Sequence, residues 1–557
     1  MSTWVKTGEY ASLEDYLEQK SGVPVEELIH PPATRPEEIE NLALAAEVIL
    51  KHSYQKSSPV FVFGDYDADG LTATAILSLL FSHFGIEHRT VIPRRMSDGY
   101  GVSPQMVEDV RDSLVITVDN GIAALEAVSL AKRNGNTVVI LDHHLPGETL
   151  PEADVLVDPY VNPEKNGFTG YCGAGLAYKL TEHMLKGDPS ADARNTLRAA
   201  LALAAVGTIA DVVPLIGDNR CIVIKGLRLF EQKNREQLPP GLHAVADIAG
   251  EEIDEETIAY RVAPLINAPG RLYDKGGESV LKLLLCRSLV QSYKYARKME
   301  EINTQRKELV ELWYGKVKDK ALRQAEEGKR PIVVFQKGMP AGIVGIVTGK
   351  LAESLHVPAF VFAQDEKGTP VKGSGRSYGA FDISAVLPAL RDVVVTAGGH
   401  KGAAGVTVEA KDYVRMVEIL QEQGKDQDCG QVGEIPYDMV LDPKDAGEIN
   451  RKLNAYRPFG AGVPRPVFAV MDASLERGER SIKFIGGRKE HVRLDLKGLP
   501  AIGFHLAQRY QDEGSPSRLS ILGSLSENTY KGVTSDQFII EDFRGTVSVA
   551  GDSENHA

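Results

Sequence analysis

The sequence predicts an α/β protein: a parallel sheet with helices on both faces, a long connector helix, a second α/β domain and a C-terminal OB-like β-barrel. Three observations predict it. Apolar strand-type runs alternate with helical stretches from about residue 59, the rhythm of parallel strands with covering helices. A polar stretch rich in Lys, Arg and Glu over 287–330 separates two such lobes. After about 436 the runs become short, alternating and divided by turns, the spacing of a small barrel.

The chain has 557 residues, enough for three or four domains at roughly 100–200 residues each. Hydrophobic content of 43% and charged content of 25% are those of a globular protein, with disorder expected only in the tail GDSENHA. Cys172, Cys221, Cys286 and Cys429 form no CxxC pair. That excludes a zinc ribbon or a disulfide framework and fits a reducing cytoplasm. The opening MSTWVKTGEY lacks the form of a signal peptide. No apolar stretch approaches the roughly 18–20 residues of a membrane span. The net charge of −14 excludes broad binding to duplex DNA, while leaving room for local basic patches.

The elements follow in order. Residues 1–50 read as a helical lead-in broken at HPPATRP. The first α/β domain is placed at 51–286. Its strand signals are PVFVF (59–63), RTVIP, LVITVDN (114–120), NTVVILDHH (136–144) and ADVLVDP (153–159). Ligands of such sheets bind beyond the carboxyl ends of the strands. Residues 172–250 read as mostly helical. The connector helix is placed at 287–330, where a solvated face laced with i,i+4 charge pairs explains the composition as well as a DNA contact does. The second α/β domain, 331–435, carries PIVVFQ, a helix from IVGIVTGKLAESL, PAFVFAQ and two glycine-rich turns. The barrel domain is placed at 436–557, with PVFAVMDASL, SIKFIGG, HVRLDL, PAIGFH, LSILGSL and DQFIIEDF as its short runs.

Chemistry concentrates at the strand ends of the first domain. GDYDADG (64–70) sets Asp65, Asp67 and Asp69 between a strand and a helix. Such crowding is costly unless cations neutralise it, and hard oxygen donors favour Mg²⁺ or Mn²⁺. A calcium EF-hand is excluded, because position 12 counted from Asp65 is Ile76 and not Glu. VDNG ends the next apolar strand with Asp119; taken alone it reads as a turn before it reads as a ligand. LDHH brings Asp142, His143 and His144 to the following strand end. Imidazole tilts the choice of metal toward Mn²⁺. GTIADVVPL sets Asp211 in an apolar segment, where a carboxylate needs a partner. Together these motifs supply what a two-metal phosphoesterase needs, including a ligand to bridge ions about 3.5–4 Å apart.

The order DxDxDG, VDNG, LDHH, TIADVV resembles the DHH phosphoesterase superfamily. KGSGRSYGAFDI (372–383) and AGGHKGAAGVTV (397–408) look like the DHHA1-type accessory domain found with it. INAPGR (266–271), IPRRMSDGYGVS (92–103) and RPFGAGVPRPVF (457–468) are similar to its RecJ exonuclease family. The resemblance covers nearly the whole chain. It implies that Asp67, Asp69, Asp119, His143 and Asp211 hold two divalent ions, Mn²⁺ or Mg²⁺, with Asp119 as the bridge. It implies that His144 faces the scissile phosphate and that Asp65 supports the first metal. Arg95, Arg271, Ser374 and Arg376 would hold the DNA at its 5′ phosphate, with the N–H groups of Gly373 and Gly375 approaching it, and His400 would line the same cleft. The pyrophosphatase branch of the superfamily carries a ligand histidine where this chain has Phe63.

The expected function is a single-strand-specific 5′→3′ DNA exonuclease of repair and recombination. The expected partners are single-stranded DNA, a single-stranded-DNA-binding protein and a helicase; the expected state is a cytoplasmic monomer without a membrane anchor. The rivals are a hydrolase of short oligonucleotides, cyclic dinucleotides or pyrophosphate, and a non-catalytic replication scaffold of the same fold. The barrel and the connector argue against the first, and the intact DxDxDG and DHH residues against the second. In the barrel, Phe484, Phe504 and Tyr530 are candidates for base stacking, with a place in the core as the alternative for each.

Overall fold

The computed structural model describes residues 3–55, 59–95, 101–364, 368, 370–427, 434–475, 481–530 and 533–545. Cys429, the tail, the side chain of Tyr530 and residues 96–100 of the motif at 92–103 lie outside the described ones. The chain divides into two units, one of Pro31–Val432 and one of Met1–His30 with Gly433–Ala557. Strand β1 (Thr3–Lys6) belongs to the second of these.

The first unit begins with an all-parallel five-stranded sheet of β2 (Val60–Phe63), β3 (His88–Val91), β4 (Leu114–Val118), β5 (Thr137–Leu141) and β6 (Val155–Val157), in the order β3-β2-β4-β5-β6. Every residue of β4 is buried, as expected of a strand covered on both faces. The chain leaves β2 toward β3 on one side and returns to β4 on the other. The sheet therefore has its topological switch between β2 and β4. The helix Ala68–His83 is apolar nearly all round and lies in the core with the helices Gly173–Met184 and Ala191–Ala210, as such a helix must.

The helix Leu289–Glu326 has 38 residues and is about 57 Å long at 1.5 Å per residue. Its composition is polar, yet one face is buried. Ala296, Met299 and Ile302 join the core of the first lobe, and Val310, Val317 and Ala321 that of the second. The second lobe is a mixed sheet of β7 (Ile332–Lys337), β8 (Ala359–Gln364), β9 (Val371–Arg376), β10 (Thr396–His400) and β11 (Ala403–Val408), in the order β10-β11-β9-β8-β7.

The glycine-rich segments expected as turns are strands. β9 pairs with β8 on one side and β11 on the other, so its N–H groups serve the ladder and not a phosphate. A Cβ on Gly373 would fall 2.3 Å from the Phe362 ring, and one on Gly375 2.5 Å from the Phe360 ring. These glycines make room for buried aromatics.

In the other unit, β1 pairs in parallel with β12 (Glu434–Tyr437), and Trp4 Nε1 donates to Asp542 Oδ2 at 2.6 Å. The helical reading of the lead-in overlooked β1, because a four-residue run is too short to show a period. Seven strands form the remaining sheet: β13 (Met439–Val440), β14 (Phe468–Ser474), β15 (Ile482–Ile485), β16 (His491–Asp495), β17 (Pro500–Gly503), β18 (Arg518–Tyr530) and β19 (Val533–Gly545). Their order is β13-β14-β18-β19-β17-β16-β15. The sheet is OB-like, but among the described residues its edge strands do not pair, so it is not the closed barrel expected. Phe504 is 50% exposed, edge-on to His491 at 5.2 Å, and Phe484 leans on the buried Tyr510.

Candidate active site

The switch between β2 and β4 opens a crevice at the carboxyl end of the sheet, where open α/β folds place their ligands. The loops after three neighbouring strands, β2, β4 and β5, fill it with donors. After β2, Asp67 caps the helix Ala68–His83 by accepting from Gly70 N at 3.1 Å. Asp69, in the first turn, accepts from Gly173 N at 2.6 Å and Ala174 N at 2.9 Å. Those amides begin the helix Gly173–Met184, whose positive end offsets the carboxylate charge. A Cβ on Gly173 would lie 2.5 Å from Asp119 Cβ, so only glycine lets this helix end approach the site.

After β4, Asp119 takes up a left-handed backbone, φ 61°, and its N–H donates to Leu141 O at 3.0 Å. After β5 comes His143. Its Nε2 lies 3.0 Å from Asp119 Oδ1 and 3.7 Å from both Asp69 Oδ2 and Asp211 Oδ2. Asp211 caps the carboxyl end of the helix Ala191–Ala210. Donor atoms of Asp69, His143 and Asp211 lie within 4.8 Å of one another. The same holds for Asp65, Asp67 and Asp119, and for Asp119, His143 and His144. Asp119 therefore belongs to both sides of the cluster. Carboxylates with one or two imidazoles suit hard or borderline divalent ions.

Burial, then the neighbouring carboxylates, pushes the carboxyls of Asp65, Asp67 and Asp119 above the ordinary range. The same causes push Asp211 up to about 8. A crowd of acids that resists ionisation is the electrostatic mark of a cation site. Burial lowers His143 and so favours the neutral imidazole that a metal ligand requires. His144 differs. Burial opposes its charge, but its 2.7 Å bond to Asp142, with the charges of Asp142, Asp211 and Asp69, pushes it up to about 9. Asp142 is fully buried and also accepts from Ile122 N at 2.9 Å and His143 N at 2.8 Å. It holds His144 as an imidazolium. The sequence reading gave Asp142 no role of its own, although LDHH places it two residues from His144.

The expected anion-binding residues gather beside the acids. The Arg95 guanidinium sits 4.7 Å from the centre of the Tyr66 ring. Arg271 lies in the last turn of the helix Ala263–Leu272. Burial, then the charges of Arg95 and Arg306, lowers it to about 10, with Asp67 opposing and Arg376 adding to the effect. Arg376 Nη1 donates to Ser374 Oγ at 2.9 Å. His400 pairs with Ala403, and Ala403 with Arg376. His400 thus shares a face of the sheet with Arg376 two strands away, about 9–10 Å. Its one described hydrogen bond is local, from Gly402 N. Arg306 was not singled out in the sequence, because nothing there separates it from the other charges of its helix. Phe63, at the pyrophosphatase histidine position, is fully buried in β2.

Three family models match the chain: the N-terminal domain of the DHH family over 59–208, the DHHA1 domain over 328–426 and the RecJ OB domain over 437–542. The single-stranded-DNA-specific exonuclease RecJ of Bacillus subtilis is 32% identical over 525 residues. That match takes in 91% of this chain, which spans 64% of the relative's length. RecJ of Thermus thermophilus is 32% identical over 496 residues, 87% of this chain and 68% of the relative. The crystal structure of T. thermophilus RecJ in complex with Mn²⁺ superposes with a TM-score of 0.79 at 28% identity, over 96% of this chain and 76% of that one. A second crystal structure of that protein contains Mg²⁺. The order of domains and the extent of similarity agree, and the chain belongs to the RecJ family of the DHH phosphoesterases.

Proposed function

We propose that this chain is a single-stranded-DNA-specific exonuclease that removes nucleotides from the 5′ end by two-metal hydrolysis. The observation that carries the reading is Asp119, shared by two groups of donor atoms beside a cluster of arginines. Asp65, Asp67 and Asp119 would hold one divalent ion, and Asp69, Asp119, His143 and Asp211 the other. When bound, Mn²⁺ or Mg²⁺ supplies Lewis acidity at the scissile phosphate.

The chain's own groups do the rest. His144, kept protonated by Asp142, offers Nε2–H to a phosphate oxygen as negative charge builds there. Arg95, Arg271, Arg376 and Ser374 hold the terminal phosphate, arginine being suited to bidentate contact. His400 lines the floor beside them. The OB-like sheet, with Phe504 exposed, holds the strand by stacking and backbone contacts. The chain acts as a cytoplasmic monomer on strands supplied by a helicase and a single-stranded-DNA-binding protein; the unpaired Cys172, Cys221 and Cys286 fit that compartment. Among the described residues no helix is long and apolar enough to cross a membrane.

The test is product analysis on single strands labelled at either end, with Mn²⁺. Mononucleotides released in order from the 5′ end are expected. Internal cuts, or equal use of duplex, would overturn the reading.

A further inference from the structure

The long helix Leu289–Glu326 has an inward polar face that neither core explains. Arg306 lies on it, with its Nε buried and no hydrogen-bond partner. No ion pair among the described residues holds its guanidinium. One turn earlier Asn303, 8% exposed, has a buried Oδ1 that is likewise unpartnered. Residues three apart share a helix face. The long helix packs on the helix Ala263–Leu272, which carries Arg271 in its last turn.

Arg306 is close enough for its charge to depress Arg271, as Arg95 and Arg376 also do. Four guanidinium groups therefore converge from four elements: the loop after β3, two helices and β9. The acid that acts on Arg271 is Asp67, itself crowded by Asp69. Buried like charges of this kind persist where an anion completes them. Guanidinium N–H groups match the oxygens of a phosphate.

We infer that Arg306 is a positioning residue for the terminal phosphate monoester of the bound strand. This rests on the proposed function and extends it. The connector is then part of the substrate site, and not only the solvated rod its composition suggests.

The test uses the full chain with Arg306→Gln and Arg306→Lys, each checked for native near-ultraviolet circular dichroism. Binding is measured in Ca²⁺, and KM and kcat in Mn²⁺, on one short oligothymidylate carrying either a 5′ phosphate or a 5′ hydroxyl. For the Gln variant, a loss of about tenfold in affinity and KM is expected on the phosphorylated strand, the scale of one charged contact. A change below about twofold is expected on the hydroxyl strand, with kcat held and partial rescue by Lys. Equal losses on both strands, or none, would overturn the assignment. Inorganic phosphate is the separate probe. If its stabilisation of the protein against heat depends on Arg306 while the strand ends do not, the site takes a free ion and the strand-end assignment is wrong. Wild-type protein that binds the phosphorylated strand through Arg306 without hydrolysing it would sink the proposed exonuclease and leave the phosphate contact standing.

Discussion

Replacing Asp119 by Asn should make the metal-free protein more stable and the enzyme inactive. Asp119 is 2% exposed, and its carboxylate lies within 4.8 Å of those of Asp65 and Asp67. At that distance a pair of full charges repels by about 3.5 kcal/mol at an effective dielectric constant of about 20. The acids relieve part of this by holding protons, so we expect about 1–3 kcal/mol to be recovered. Asn keeps what the backbone needs. It tolerates the left-handed φ of 61°, and its Oδ1 can still accept from His143. Asp119→Ala keeps neither and should be about 1–2 kcal/mol less stable than Asn. Cation binding reverses the order. Wild type gains about 2.7 kcal/mol when Mn²⁺ is at 100 times its dissociation constant, whereas the variant has lost the shared ligand. Melting curves should therefore cross, with the variant higher in EDTA and wild type higher in Mn²⁺. Hydrolysis should fall at least about 10³-fold, or roughly 4 kcal/mol. A variant that melts below wild type in EDTA, or turns over normally in Mn²⁺, would refute the shared-ligand reading.

Activity should vanish in chelator and return with Mn²⁺ or Mg²⁺ but not Ca²⁺, whose longer bonds and larger ligand number misalign the attack; full rates in EDTA would refute this. Arg376→Gln should cost about 1.5–3 kcal/mol on 5′-phosphorylated strands and much less on 5′-hydroxyl strands, read as kcat/KM for each. Burial, opposed by the N–H of Tyr160, pushes the Asp158 carboxyl up to about 7, and its Oδ2 is buried without a partner. The folded state then holds a proton that the unfolded chain releases near pH 3.9, so stability falls as pH rises from about 4 to about 7 and stays low above. Asp158→Asn should therefore stabilise at pH 8, by on the order of 2 kcal/mol, and not near pH 4; equal effects at both would refute it. Deleting 433–557 alone should leave β1 unpaired and Trp4 without Asp542, so it should aggregate more than a deletion that also removes 1–30.

The catalytic half was legible because its signals are local. Apolar runs of four or five residues mark the strands, and each donor motif sits at a strand end, so the sheet brings distant residues together without further specification. What stayed hidden depends on contacts across the fold. KGSGR carries the glycines of a turn, and only the rings of Phe360 and Phe362 reveal why a strand needs them. TWVK is too short to show a period and becomes a strand by pairing with residues more than 400 positions away. Asp142 was visible in LDHH, but its work on His144 depends on a rotamer that no spacing specifies. Arg306 is one charge among many on a long helix, distinguished by which way it faces.

A net charge of −14 is a poor guide to the partner of this protein, and the site shows why. Asp65, Asp67, Asp69, Asp119 and Asp211 cluster beside Arg95 and Arg271, and the charges of Arg306 and Arg376 reach Arg271. The two sets would nearly balance with every acid ionised, and protons held on the acids shift the balance toward positive charge. Two divalent ions would turn the same crevice strongly cationic. The bound cations then act on affinity as well as on chemistry, and strand binding in the crevice should rise with divalent ions before any bond is cut. A basic protein surface would attract duplex and single strands alike. An acidic chain whose attraction is confined to a metal-loaded crevice restricts binding to strands that can reach it.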